Sequence, residues 1–148
     1  MKTLAHANDK QKILRRLRSL PSSTQRRWGK MSAHQMICHL SDAYRMFMNE
    51  KTVRPEPPGL PRAVLKFVAL WASIPWPKGF KTVPELDREG AGTTPAAFDA
   101  DLHELCQLID RVTRQPRDFQ WQAHPHFGPL SEKEWMRLGY LHPDHHLR

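Results

Sequence analysis

SAHQMICHLSDAYRMF, residues Ser32 to Phe47, decides the fold class. Ser32 followed three positions later by Gln35 is a capping-box pattern, in which the hydroxyl accepts from the amide of Gln35 while that side chain reaches back. Met36, Leu40, Ala43 and Phe47, joined by Ile37 and Tyr44, then recur at the spacing that gathers apolar residues on one helical face. No segment alternates apolar and polar residues long enough for a half-buried strand, so the chain reads as all-α.

Working outward, Ile13, Leu14, Leu17 and Leu20 predict a first helix from an Asn8 N-cap to Leu20, stopped by Pro21-Ser22-Ser23. Beyond the quoted helix, Arg54-Pro-Glu-Pro-Pro-Gly-Leu-Pro61 breaks the chain. The apolar run Ala63 to Trp76 reads as a core or interface helix. A long irregular connection from Pro75 to Gly92 follows, of the kind that is functional or mobile. Thr94-Pro95 offers an N-cap and an N1 proline for a helix carrying Phe98, Leu102, Leu105, Leu108, Ile109 and Val112. Ser131-Glu-Lys-Glu134 is a second capping box, opening a last helix with Trp135, Leu138 and His142 on one face. The expectation is one domain over residues 1–148, a helical bundle with a short extra helix and long loops.

The 148 residues suffice to bury a core without disulfides. Cys38 and Cys106 both fall in helical segments, which argues against a disulfide framework and for a reducing, cytoplasmic setting. The most apolar run carries Lys66 and is well short of the roughly 20 residues that span a bilayer, so no membrane partner is expected. The net charge is +8, with an acid-free basic stretch from Lys10 to Lys30. That stretch permits nucleic-acid binding, but its apolar period favours the wet side of an amphipathic helix.

The chain ends YLHPDHHLR, Tyr140 to Arg148. His142 and His146, four apart, share one helical face and can reach one metal ion. Pro143 occupies the position where HExxH peptidases carry their glutamate, and Asp144 points elsewhere, so a zincin is rejected. Catalytic zinc usually takes three protein ligands. His39, close to the buried stripe of the quoted helix, is the third candidate, whereas His34 is expected to face water and His103 to lie off the apolar face. Three neutral imidazoles meeting in a bundle without an ion would leave buried nitrogens to satisfy.

The segments WGKMSAHQMICHLSDA, from Trp28, and HPHFGPLSEKEWMRLGYLHPDHHLR, from His124, with PWPKGFKTVPE between them, resemble the DinB/YfiT-like superfamily, most closely a branch of single-domain proteins without a settled reaction. The resemblance spans residues 28–148. It implies a DinB-like four-helix bundle, often a homodimer, with a divalent ion on one histidine of the second helix and an HxxxH pair on the last. Those ligands fall on His39, His142 and His146. Relatives use such an ion to activate low-molecular-weight thiols, so the resemblance favours a thiol-dependent transferase acting on a small-molecule substrate. A metal-dependent hydrolase is the alternative, and a basic, non-catalytic nucleic-acid-binding protein is a rival of another class.

Zn²⁺ or Ni²⁺ suits imidazole donors. Around the triad, Asp42 is a candidate to orient an imidazole, with a solvated acid as the plain alternative. His145 is expected at the surface. His124 belongs to the resemblance motif, and a loop-fixing hydrogen bond explains it equally well. Cys38 points away from His39, and Cys106 reads as core. Arg45 and Arg148 are candidate cations for an anionic cosubstrate, and Trp71, Trp76 and Phe80 candidate pocket or core aromatics. Two features threaten the site: Pro143 inside the ligand pair, and an end so close to His146 that the ligand frays.

Overall fold

Both capping boxes close in the computed structural model, which describes residues 1–26, 28–55, 57, 59–72, 74–78, 83–87 and 90–148. Ser32 Oγ accepts from Gln35 N at 3.2 Å, and Gln35 Oε1 from Ser32 N at 2.8 Å. Ser131 and Glu134 make the same reciprocal pair. Helices α1 (Ala7–Arg18), α2 (Ala33–Phe47), α3 (Arg62–Leu70), α4 (Phe98–Thr113) and α5 (Glu132–His146) follow, with a 3-10 turn at Pro84–Leu86. Among the described residues there is no strand, and the chain is an all-α bundle.

Two predicted caps are corrected. Asn8 lies inside the first turn of α1, whose N-cap is His6 with no side-chain bond. Asp9 instead ties the terminus down, accepting from Thr3 N at 3.1 Å and Lys2 Nζ at 2.8 Å. Helix α4 starts at Phe98 rather than after Thr94-Pro95. Asp101 serves its entry from within, accepting from Ala96 N at 3.0 Å.

Four helices form the bundle in the spatial order α1, α4, α2, α5, because each contacts its two neighbours in that ring, and α2 packs most extensively on α4. The periodic residues fill the centre: Ile13, Leu17, Ile37, Leu40, Leu105 and Ile109 are fully enclosed. Helix α3 lies outside against α5. It is not a core helix, since Leu70 alone of its residues is buried while Val64, Phe67 and Val68 stay exposed. Among the described residues no helix is long and apolar enough to cross a membrane.

Helix α5 runs through Pro143 to His146. Proline has no N–H, so the Gly139 carbonyl one turn back loses its helical donor. The buried Tyr44 hydroxyl of α2 donates to that carbonyl at 2.6 Å. Glycine at position 139 also suits the packing: a Cβ there would meet Leu4 Cδ1 at 2.8 Å, so the Leu4 side chain would have to shift. The helix end is held as well. Asp144, facing away from the histidines, pairs with Arg16 of α1 at 2.5 Å and Arg148 at 2.6 Å.

Tyr44→Phe should therefore cost about 1–3 kcal/mol by leaving the Gly139 carbonyl without a partner. Urea denaturation measures it. A change of a few tenths would mean that the helix re-satisfies this carbonyl on its own.

Candidate metal centre

The helical period of α2 and α5 brings His39, His142 and His146 together, and their Nε2 atoms face one another. His142 Nε2 lies 3.0 Å from that of His39 and 3.2 Å from that of His146. The rings sit with centroids 5.0 Å apart, His39 and His142 at 88° to each other. With a metal–nitrogen bond of about 2.0–2.1 Å, neighbouring donors stand about 2.9 Å apart around an octahedron and about 3.3 Å around a tetrahedron. The observed separations fall within that span.

The tautomers favour the same conclusion. His39 Nδ1 lies 3.0 Å from the Leu86 carbonyl, which only accepts, so Nδ1 carries the proton and Nε2 is bare. Burial pushes the pKa of His39 down, that of His142 well down, and that of His146 down to about 3, with repulsion from the neighbouring rings adding to the last two. All three are then neutral near pH 7, the ligating form. Neutral rings cannot satisfy every Nε2 pair by hydrogen bonding, because His142 Nε2 either gives one proton or accepts one. A cation between them satisfies all three, and the donor set fits a divalent ion of borderline softness.

The orienting partner of His39 is the Leu86 carbonyl, and not Asp42. Asp42 accepts from Thr93 N and Thr93 Oγ1, each at 2.7 Å, and pairs with Lys51 at 2.8 Å and Arg45 at 3.1 Å. It is 1% exposed and touches no ligand. Its work is to pin the connection between the 3-10 turn and α4 onto α2. Gly90 lets that connection turn tightly, since a Cβ there would lie 2.2 Å from the Pro84 oxygen. Asp42→Ala should cost about 3 kcal/mol, because it removes the carboxylate partner of Lys51 and the acceptor of both Thr93 bonds and leaves a buried void, while Arg45 keeps Glu104. Thermal denaturation measures the loss, and a drop below about 1 kcal/mol would show the carboxylate to be dispensable.

His145 is not a free surface residue. Its ring is half-buried, 4.8 Å from that of Trp28 and 5.7 Å from that of Trp76. His124 fixes its loop: Nδ1 accepts from His126 N at 3.2 Å and Phe127 N at 3.3 Å, and its backbone pairs with Gly128. His34 does not simply face water but meets Asp101 of α4 at 2.6 Å, with the Cys38 thiol 3.8 Å from the same oxygen. These three donors cluster closely enough for a cation. Asp101 is already engaged in capping α4, and burial with the adjacent carboxylate pushes the Cys38 thiol up to about 11, so the cluster reads as a polar tie between α2 and α4.

A cavity of about 360 Å³ opens beside the triad, with His39, His142 and Trp76 in its wall. Among the described residues its lining carries no Lys, Arg, Asp or Glu. Arg45 is engaged by Asp42 and Glu104, Arg148 by Asp144, and neither reaches this cavity. A smaller groove of about 140 Å³ lies on the His146 side and holds Arg26, Lys30 and Trp28. Trp71 sits under Lys133, away from the centre. Phe80 lies outside the described residues.

Spacing identified the triad, whereas the Leu86 carbonyl, Trp28 stacked 5.6 Å from His146, and Tyr44 behind α5 carry no signal of their own in the sequence. A backbone acceptor has no residue code, and the other two depend on which helices pack together.

A family described as "Protein of unknown function (DUF1569)" matches residues 2–148. No curated protein and no solved structure matches the chain.

Proposed function

We propose, from the premise that this chain belongs to the DUF1569 family along nearly its whole length, that His39, His142 and His146 hold a divalent ion and make it a metal-dependent enzyme of the DinB/YfiT-like type. The convergence of three Nε2 atoms, with His142 at 3.0 and 3.2 Å from its two partners, carries this reading. Zn²⁺ or Ni²⁺ is the preferred occupant. Such an ion supplies Lewis acidity, lowering the pKa of a thiol or water bound to it.

Between those two nucleophiles the surroundings favour a thiol. No described Asp or Glu lines the cavity, so water attack would have to rely on a histidine such as His145 as its base. The groove on the His146 side presents Arg26 and Lys30 to an anionic low-molecular-weight thiol, while the acceptor substrate enters the uncharged cavity opposite. The nucleic-acid reading loses ground, because Lys10 is paired with Asp110 at 2.9 Å and Arg16 with Asp144.

The test is turnover of an uncharged alkylating electrophile with bacillithiol, mycothiol or glutathione, by metal-loaded and by chelator-stripped protein. Thiol-dependent turnover that disappears with the ion is expected. Ester cleavage without thiol would transfer the reading to a hydrolase. Chelator-insensitive, salt-sensitive binding of nucleic acid, with no turnover, would overturn both.

A further inference from the structure

Physical chemistry of the larger cavity narrows what can occupy it. Its walls come from α2 (Met46, Phe47), the exposed helix α3 (Leu65, Val68) and the connection after it (Trp76), and they end on His39 and His142. At about 360 Å³ it is of small-molecule size. In the metal-free chain a carboxylate or phosphate entering it would shed water and find no described counter-charge, a cost that apolar contact does not repay.

One polar feature of the lining is fixed. The His124 ring stacks on Phe127 at 4.3 Å and 13°, and the backbone bridge to Gly128 closes its loop. Because Nδ1 accepts from two backbone amides, the ring proton is on Nε2, at the opposite side of the ring. Among the described residues that N–H has no hydrogen-bond partner, and His124 lines the cavity together with His39 and His142. It is a donor of set tautomer and set direction, which is the kind of group that orients a ligand in an apolar pocket.

We propose that the cavity binds an uncharged, largely apolar small molecule bearing one hydrogen-bond-accepting oxygen, and that His124 Nε2–H is the positioning residue for that oxygen. The inference rests on the metal reading only for which end of the molecule is presented to His39 and His142; binding itself needs no ion.

Calorimetry on the metal-free full chain tests it with three ten-carbon probes: butyrophenone, butylbenzene and 4-phenylbutanoate. Butyrophenone should bind one per chain, about fivefold tighter than butylbenzene, the factor corresponding to the roughly 1 kcal/mol of one neutral hydrogen bond. 4-Phenylbutanoate should bind at least about tenfold more weakly than the ketone, since its charge must be desolvated without a partner. In His124→Asn the side-chain oxygen takes the place of Nδ1 toward the loop amides, but the far donor is gone. The ketone should then bind no better than the hydrocarbon. Ala69→Phe, at a lining position of α3, should weaken both neutral probes and leave zinc content unchanged.

A ketone preference that persists in His124→Asn overturns the proposal. So does a carboxylate that binds as tightly as the ketone, or a wild-type chain whose self-association, read by sedimentation, excludes every probe. A chain that holds zinc and rejects the ketone overturns this inference alone; one that binds the ketone and never holds zinc overturns the metal reading alone.

Discussion

Untagged wild-type protein refolded with zinc should hold about one ion per chain by elemental analysis, whereas His39→Ala and His146→Ala should hold almost none. Loss of a group that merely orients a ligand costs roughly 10- to 100-fold in affinity, and loss of a ligand from a set of three costs more. Zinc at about 1,000 times its dissociation constant stabilises the native state by about 4 kcal/mol. At about 2–4 °C per kcal/mol for a chain of this size, that raises Tm by about 8–16 °C. The variants should lose this rise. They should lose little stability without metal, because substitution relieves the crowding of bare nitrogens around His142. Equal zinc content in wild type and both variants would remove the site.

Acid should undo the metal-free protein well before its carboxylates titrate. Burial holds His39 and His142 below the ordinary histidine pKa and brings His146 and His124 down to about 3. The unfolded chain therefore binds protons that the folded chain refuses. Stability from these groups is complete above the unfolded pKa of about 6.5 and drains as pH falls toward the folded values. At pH 4.5 His146 and His124, whose folded pKa lies near 3, each cost on the order of 2–3 kcal/mol, at 1.36 kcal/mol per pH unit. Asp42, Asp101 and Asp144, all held below the usual carboxylate pKa, stabilise the fold across this interval and lose that contribution only as pH falls below about 4. Urea unfolding of stripped protein between pH 7.5 and 4.5 should show the decline, and zinc should shift it to lower pH by competing with protons. A flat profile across that interval would mean that the imidazoles are neither buried nor neutral.

What could be read in the sequence is what the helical period governs. Ser32/Gln35 and Ser131/Glu134 mark their helices because a cap is a matter of three or four adjacent residues. The HxxxH pair shares a face for the same reason, and His39 follows from its place beside the Met36–Phe47 stripe. The roles of Asp42 and His34 are not legible in the sequence because their partners, Thr93 and Asp101, are 51 and 67 residues away, and those distances are closed only by the packing of α4 on α2. The exposure of α3 was hidden by its composition, since an apolar run reads alike whether it lines a core or the mouth of a cavity. Pro143 looked like a break, yet the hydroxyl that accommodates it belongs to another helix.

The two indoles beside the triad, Trp28 stacked on His146 at 5.6 Å and Trp76 at 6.2 Å from His142, give the centre an optical voice. An ion with an open d shell, such as Ni²⁺ or Cu²⁺, drains the excited state of an indole at that range, and closed-shell Zn²⁺ leaves it glowing. Emission of the unlabelled chain that falls with Ni²⁺ or Cu²⁺ but not with Zn²⁺ would thus report an open-shell ion beside these two indoles.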